Sequence, residues 1–199
     1  MLIYGLNGSP RKNGSTAVMV REALKGAGEL GAKTREVFVP EFLDSIEDPF
    51  CRACSSPCNK SCYQGTRLEE LFHDLSNVDG LILGSPVFFG TVSGQLKALW
   101  DLTRALRKEL HLMNVVGGAL AVGHSRFGGQ ETTIRALQDM MMIQGMLVVG
   151  EGYGDDAGHQ GAAGQSPVDG DGMDAEKARM LGSRVAAVAR ATKQLRIRP

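Results

Sequence analysis

All four cysteines of the 199-residue chain lie between Cys51 and Cys62, within the stretch FCRACSSPCNKSCY of residues 50–63. Their spacing is C-x2-C-x3-C-x3-C. Thiolates are soft donors that ligate metals and exchange electrons, so a set this dense points to metal or redox chemistry. Structural zinc does take four cysteines, usually as two C-x2-C knuckles well apart in sequence, and here only Cys51 and Cys54 form such a knuckle. A redox dithiol at Cys51 and Cys54 leaves Cys58 and Cys62 unexplained. A disulfide framework is disfavoured wherever thiols stay reduced. A cytoplasmic location is the expectation, because the opening MLIYGLNGSP is too short an apolar run for a secretory segment and has no basic residues before it.

Three further stretches combine residue types suited to holding a ligand. GLNGSPRKNGST, residues 5–16, joins glycines and small hydroxyl residues to a helix start. Backbone N–H groups and the hydroxyls of Ser9, Ser15 and Thr16 can point at phosphate oxygens, assisted by the positive helix end, and Arg11 can add charge. A Walker A loop is excluded, since Gly14 is followed by Ser15 and Thr16 without the phosphate-binding lysine. Gly5, Gly8 and Gly14 also miss the G-x-G-x-x-G spacing of dinucleotide folds, which leaves a longer loop suited to a terminal monophosphate.

GSPVFFGTVSGQLKALWD, residues 84–101, places Pro86, Phe88 and Phe89 after an apolar run, and Gly90 lets the chain turn close to a ligand. Such a turn suits a flat ring whose polar edge is read by backbone groups. GHSRFGGQETT, residues 123–133, sets His124, Arg126 and Glu131 among small residues. The plainer alternatives are a Gly-rich turn capped by Ser15, phenylalanines that belong to the core, and a structural His124.

The elements that must position these stretches alternate along the chain. Apolar runs predict strands at Leu2–Leu6, Thr34–Val39, Gly80–Leu83, Gly118–Val122 and Met146–Val149, the second stopped by Pro40. Three- and four-residue periodicity predicts helices at Ser15–Leu30, Arg67–Leu75, Ser93–Leu106, Gln130–Ile143 and Asp174–Gln194. Five strands, each followed by a helix, imply one α/β domain over residues 1–199: a doubly wound five-stranded parallel sheet covered on both faces. Residues 40–66 form a cysteine-containing insertion after the second strand, and residues 150–173 a Gly-rich loop. Ligands of such sheets sit beyond the carboxyl ends of the strands, where the three stretches fall.

Composition narrows the function classes. Apolar residues make up 43% of the chain and charged residues 22%, with 22 basic against 22 acidic side chains. That balance gives no electrostatic argument for nucleic acid or an anionic membrane. Nothing approaches the run of about 18 apolar residues that would span a bilayer.

GSPRKNGST after the first strand, GSPVFFGTVSGQLKAL after the third and GGQETT after the fourth resemble the flavodoxin-like NAD(P)H-dependent FMN reductases, a superfamily that includes quinone reductases and iron–sulfur flavoproteins. The resemblance covers roughly residues 1–150 and implies a flavodoxin-like fold. It implies FMN bound by its phosphate at Ser9, Arg11, Asn13, Ser15 and Thr16. The isoalloxazine would be lined by Pro86, Val87, Phe88, Phe89 and Gly90, with Ser125, Arg126, Gly128 and Gly129 closing over it. It further implies a homodimer or homotetramer with flavin near the subunit interface, and NAD(P)H, ferredoxin or quinone as redox partners.

Among the superfamily, iron–sulfur flavoproteins carry a compact cysteine motif between the second strand and the next helix. By that resemblance Cys51, Cys54, Cys58 and Cys62 are the expected ligands of a [4Fe–4S] cluster, with Pro57 stiffening the loop and Ser55, Ser56 and Asn59 available to hydrogen-bond sulfur. The second gap here is one residue longer than in that motif, and the third is shorter. Flavin and cluster together would couple two-electron to one-electron transfer. The alternatives are a cluster-free NAD(P)H-dependent FMN or quinone reductase, and a flavodoxin-like binding module with structural zinc. The loop at 151–174, with His159, is either a surface loop or a cover for a neighbouring subunit's flavin.

Overall fold

Leu2–Asn7 forms the first strand, β1, since its apolar run can be buried on both faces of a sheet. Helix α1 (Ser15–Glu29), strand β2 (Lys33–Phe38) and the short helix α2 (Val39–Leu43) follow. After the cysteine stretch come α3 (Arg67–Leu75), β3 (Gly80–Pro86), α4 (Gly94–Leu102), α5 (Arg104–Lys108), β4 (Val116–Gly123) and α6 (Gln130–Met142). Strands β5 (Leu147–Val149) and β6 (Ala162–Gln165) precede the last helix, α7 (Met173–Ala191). The computed structural model describes residues 1–152 and 158–197.

The sheet order is β2-β1-β3-β4-β5 and every pairing is parallel. This is the flavodoxin-like order, in which the strand order reverses between β1 and β3 while all strands stay parallel. Side chains alternate across the sheet: Tyr4, Leu6, Leu81 and Leu83 face a core completed by α2, α3, α4 and α6. Ile3, Ile82, Val116 and Leu120 face the opposite core, completed by α1 and α7. Helices α1 and α7 cross in near backbone contact, for a Cβ on Gly182 would stand 1.7 Å from the Ala23 carbonyl oxygen.

Three elements differ from the sequence expectation. The fifth position of the sheet is an interrupted edge: β5 pairs with Val116–Gly118 and β6 continues along Leu120–Gly123. The segment AAGQ of β6 has no apolar run because small residues are required there; a Cβ on Gly164 would come within 2.4 Å of the Met19 sulfur. Pro40 opens the one-turn helix α2, where a missing N–H costs nothing. The helix expected over Ser93–Leu106 breaks at Thr103, whose hydroxyl donates to the Trp100 carbonyl at 2.6 Å. Among the described residues no helix is long and apolar enough to cross a membrane.

Candidate functional site

The loop after β1 is organised by Asn7, a fully buried amide at the strand end. Its Oδ1 accepts from the Ser9 N–H at 3.1 Å, and its Nδ2 donates to the Lys12 carbonyl at 3.4 Å. Ser9 is 4% exposed, and its hydroxyl oxygen accepts from the Arg11 N–H at 3.1 Å. Helix α1 then starts at Gly14, which has extended backbone and no side-chain cap, so its first-turn N–H groups are left for water or an anion. Ser15 and the buried Thr16 stand at this helix start. Asn13 accepts from Arg21 at 2.9 Å and is drawn along the helix, while Arg11 is exposed. A residue outside the loop also reaches it: Ser166, after β6, lies 3.1 Å from the Ser15 hydroxyl.

The loop after β3 is bolted to the first. The Ser93 hydroxyl donates to the Gly8 carbonyl at 2.6 Å, and the Ser93 N–H donates to the Ser85 hydroxyl at 2.9 Å. Between these anchors Phe88 and Thr91 exchange backbone hydrogen bonds of 2.9 and 3.1 Å, closing a four-residue turn. Both central residues have positive φ, Phe89 at 50° and Gly90 at 79°, which is the pattern of a type I′ turn. Glycine adopts this readily; phenylalanine does so at a steric cost. Phe89 is fully exposed at the tip and Phe88 is also exposed, so neither belongs to the core. Pro86 and Val87 are half-buried at the base.

The loop after β4 depends on Gln130. Its Oε1 accepts from the Gly128 N–H at 2.8 Å, and its Nε2 donates to the carbonyls of Ser125 at 2.6 Å and Gly164 at 3.2 Å. Ser125, Arg126 and Gly128 are thereby held at the surface with Phe127, while Gly129 turns inward at φ 94°. A Cβ on Gly129 would stand 3.1 Å from both Gly90 Cα and Val87 Cγ1, so the second and third loops touch there. His124 and Glu131 are exposed beside this contact. Sequence reading passed over Asn7, Ser85, Ser93, Gln130 and Ser166. Only Ser93 has a recognisable signal, a hydroxyl residue just before a helix, where it accepts from the Leu96 N–H.

The cysteine stretch runs between α2 and α3 with four free thiols. Cys51 and Cys58 are half-buried, and Cys54 and Cys62 exposed. Ala53 and Lys60 take positive φ, which folds the stretch back on itself, and Tyr63 and Gln64 both donate their N–H groups to the Lys60 carbonyl. Ser55 and Asn59 bond within the loop, accepting from the N–H groups of Asn59 and Ser61. Although Cys62 is exposed overall, partial desolvation of its thiol pushes it up, and the neighbouring Cys58, Cys54 and Cys51 push it further. Burial likewise raises the Tyr63 hydroxyl, with Cys58 and Cys62 adding to the effect.

The donor set fits an iron–sulfur cluster by its chemistry. Among the described residues no three His, Cys, Asp or Glu side chains converge as one metal ion requires. A cubane asks for less convergence, since each thiolate takes a separate iron.

Lys60 is held by Glu109 at 2.9 Å, and His111 lies 2.9 Å from the same carboxylate. Lys60, Tyr63, Glu109 and His111 line a cleft of about 840 Å³ behind the cysteine stretch. A second cleft, of about 980 Å³, lies on the outer side of the third loop. There His159 pairs at 2.7 Å with Glu151, a carboxylate only 2% exposed. Neither cleft is lined by the first loop. Residues 153–157 of the expected Gly-rich loop lie outside the described residues.

An uncapped helix start at the switch point, flanked by two mutually bonded turns at the carboxyl ends of β3 and β4, defines a flavodoxin-like cofactor-binding protein. Comparison with known proteins gives the same answer. The family model for NADPH-dependent FMN reductases matches residues 1–160. An iron–sulfur flavoprotein of Methanocaldococcus jannaschii is 41% identical, across 98% of this chain and 100% of its own. An iron–sulfur flavoprotein of Methanosarcina thermophila is 40% identical over 76% of this chain and 78% of its own. Among solved structures, a WrbA-like flavodoxin from Agrobacterium tumefaciens superposes with a TM-score of 0.69 at 22% identity, covering 96% of this chain and 98% of its own. The chain belongs to the NADPH-dependent FMN reductase family and is a flavin-dependent oxidoreductase.

Proposed function

We propose that the chain holds FMN with its phosphate at residues 8–16 and its ring between the turns at Pro86–Thr91 and Ser125–Gly129. In this reading Cys51, Cys54, Cys58 and Cys62 would hold a [4Fe–4S] cluster, with NAD(P)H as the electron donor and a partner such as ferredoxin or a quinone as the acceptor. The observation that carries it is the bonding of the three loops into one cradle, through Ser93 to Gly8 and Thr132 to Gly90.

When bound, FMN takes up an electron pair and a cluster carries one electron at a time, so the two together join both kinds of transfer. The chain's own residues bind and orient. The first-turn N–H groups of α1 and the hydroxyls of Ser9 and Ser15 face the phosphate charge. The Phe88–Thr91 turn offers backbone groups to the ring edge, and Phe88 and Phe89 shield the ring from water. Gln130 fixes the shape of the third loop and ties it to Gly164 of β6. The four-thiol stretch and the iron–sulfur flavoproteins among the relatives support the cluster.

A second reading is a cluster-free NAD(P)H-dependent FMN or quinone reductase, supported by the match to the NADPH-dependent FMN reductase family. One experiment separates them: an anaerobic visible spectrum with FMN, iron and acid-labile sulfide assayed on the same sample. About one FMN with four iron and four sulfide per chain is the expected result. In that case Cys54→Ser removes the broad brown absorption and leaves FMN bound. FMN without iron after cluster reconstitution selects the second reading. Zinc without flavin would instead leave a binding module.

A further inference from the structure

The hydroxyl of Ser15, at the start of α1, sits between two groups from the far side of the sheet. It lies 3.1 Å from the Ser166 hydroxyl and accepts from the Val168 N–H at 3.1 Å. Ser166 follows β6 directly and lies beyond residues 1–160, the part of the chain that the family model matches. Its backbone is registered by a 2.8 Å bond from its N–H to the Gly123 carbonyl, where the third loop begins.

Counting protons gives this pair a role. Each serine hydroxyl has one proton and can accept twice. Ser15 already accepts from Val168, and a single bond joins the two hydroxyls. If Ser166 donates in that bond, the Ser15 proton has no other acceptor among the described residues. If Ser15 donates, the same holds for the Ser166 proton. Either way, one O–H remains beside the uncapped end of α1, and both side chains are held in place.

We infer that Ser166 is a positioning residue of the phosphate site, locking Ser15 so that the Ser15–Ser166 pair presents one O–H to the terminal phosphate of the flavin nucleotide. The inference rests on the phosphate reading of residues 8–16 proposed above. It extends that site to the continuation of the interrupted fifth strand. One strand end then serves both halves of the cradle, since Gly164 accepts from Gln130 of the third loop while Ser166 meets the first.

The test compares FMN with riboflavin, which has the same ring and no phosphate, by fluorescence titration of flavin-free protein. Wild-type protein is expected to prefer FMN strongly. Ser166→Ala should weaken FMN binding by about tenfold, the scale of a hydrogen bond to a charged group, and leave riboflavin binding within about twofold. Ser166→Thr, which keeps the hydroxyl, should restore the preference. Ser15→Ala and the double variant should be non-additive with Ser166→Ala, as expected for partners in one bond. Ser166→Gly supplies a second variant without the hydroxyl should the alanine protein not fold.

If wild type prefers FMN and the hydroxyl-free variants keep the full preference, the inference is overturned while the phosphate loop stands. Equal weakening of both ligands assigns Ser166 a general packing role and overturns it too. A wild type that binds both ligands equally overturns the phosphate reading itself.

Discussion

The Thr132 hydroxyl donates to the backbone carbonyl of Gly90 across 2.8 Å, joining the first turn of α6 to the tip of the turn after β3. The same hydroxyl lies 3.0 Å from the Gly129 carbonyl, so one proton serves the contact between two loops from different strands. Thr132→Val keeps the shape and removes the proton. A net hydrogen bond of about 0.5–1.5 kcal/mol corresponds to roughly twofold to tenfold in affinity. Because the bond holds the ring side of the cradle, FMN and riboflavin should weaken alike. A titration in which only FMN weakened would move Thr132 to the phosphate side.

Phe89 combines a positive φ of 50° with a fully exposed side chain. Nothing in its packing repays the left-handed backbone, whose cost for an ordinary L-residue is about 1–2 kcal/mol. Phe89→Asn, which tolerates that conformation, should raise the melting temperature by about 2–4 °C in a chain of this size. It should also weaken flavin binding, because the ring loses its aromatic cover. Thermal melts and flavin titration on one preparation check both halves. Unchanged flavin affinity would leave the exposed ring without a role at the cradle.

How much of this was legible beforehand depends on the residue. Ser9, Ser15 and Thr16 stand out as candidates because glycines and hydroxyls before a helix suit an anion, and the structure places all three at the start of α1 or in the loop before it. Their orienting partners do not stand out. Asn7 and Gln130 act through buried side-chain bonds to backbone groups up to 34 residues away, and no local pattern encodes such a pairing. Strand β6 was hidden because α1 packs so closely over Gly164 that apolar bulk, the usual mark of a strand, is excluded there. The cysteine spacing marks the candidate donors; how far the sulfurs converge depends on the turns at Ala53 and Lys60, two residues that ordinarily avoid positive φ.

The crossing of α1 and α7 gives a stability prediction independent of any ligand. A Cβ on Gly182 would stand 1.7 Å from the Ala23 carbonyl oxygen, and one on Gly26 would stand 2.1 Å from the Arg179 carbonyl oxygen. Both obstacles are helix backbone, which cannot rotate away as a side chain would. Gly182→Ala must therefore push the helices apart and open the core around Leu181 and Val185. The expected cost is about 3 kcal/mol, at the upper end of overpacking effects. It should be read as a fall of about 6–12 °C in melting temperature. Gly28→Ala, on α1 two residues beyond Gly26 and with open space around its Cβ position, serves as the control and should be neutral or stabilising.

The last prediction concerns pH and the cysteine stretch. Hydrogen bonding from Lys60 chiefly holds the Glu109 carboxyl below its ordinary value, with His111 adding to it. A carboxyl depressed in the folded state contributes stability that is fully present above its ordinary value, about pH 4.3, and is lost as pH falls through the lower folded value. Both partners are 40% exposed, so the tie is weak and salt-sensitive. Its effect should be local: amide exchange of Tyr63 and Gln64, whose N–H groups bond to the Lys60 carbonyl, should quicken roughly twofold to fivefold in Glu109→Gln at neutral pH. As pH drops below about 4, wild type should approach the variant, because protonated Glu109 no longer holds Lys60 as an ion pair. Equal exchange in both proteins at pH 7 would mean that the cysteine stretch is shaped by its own turns and owes nothing to Glu109.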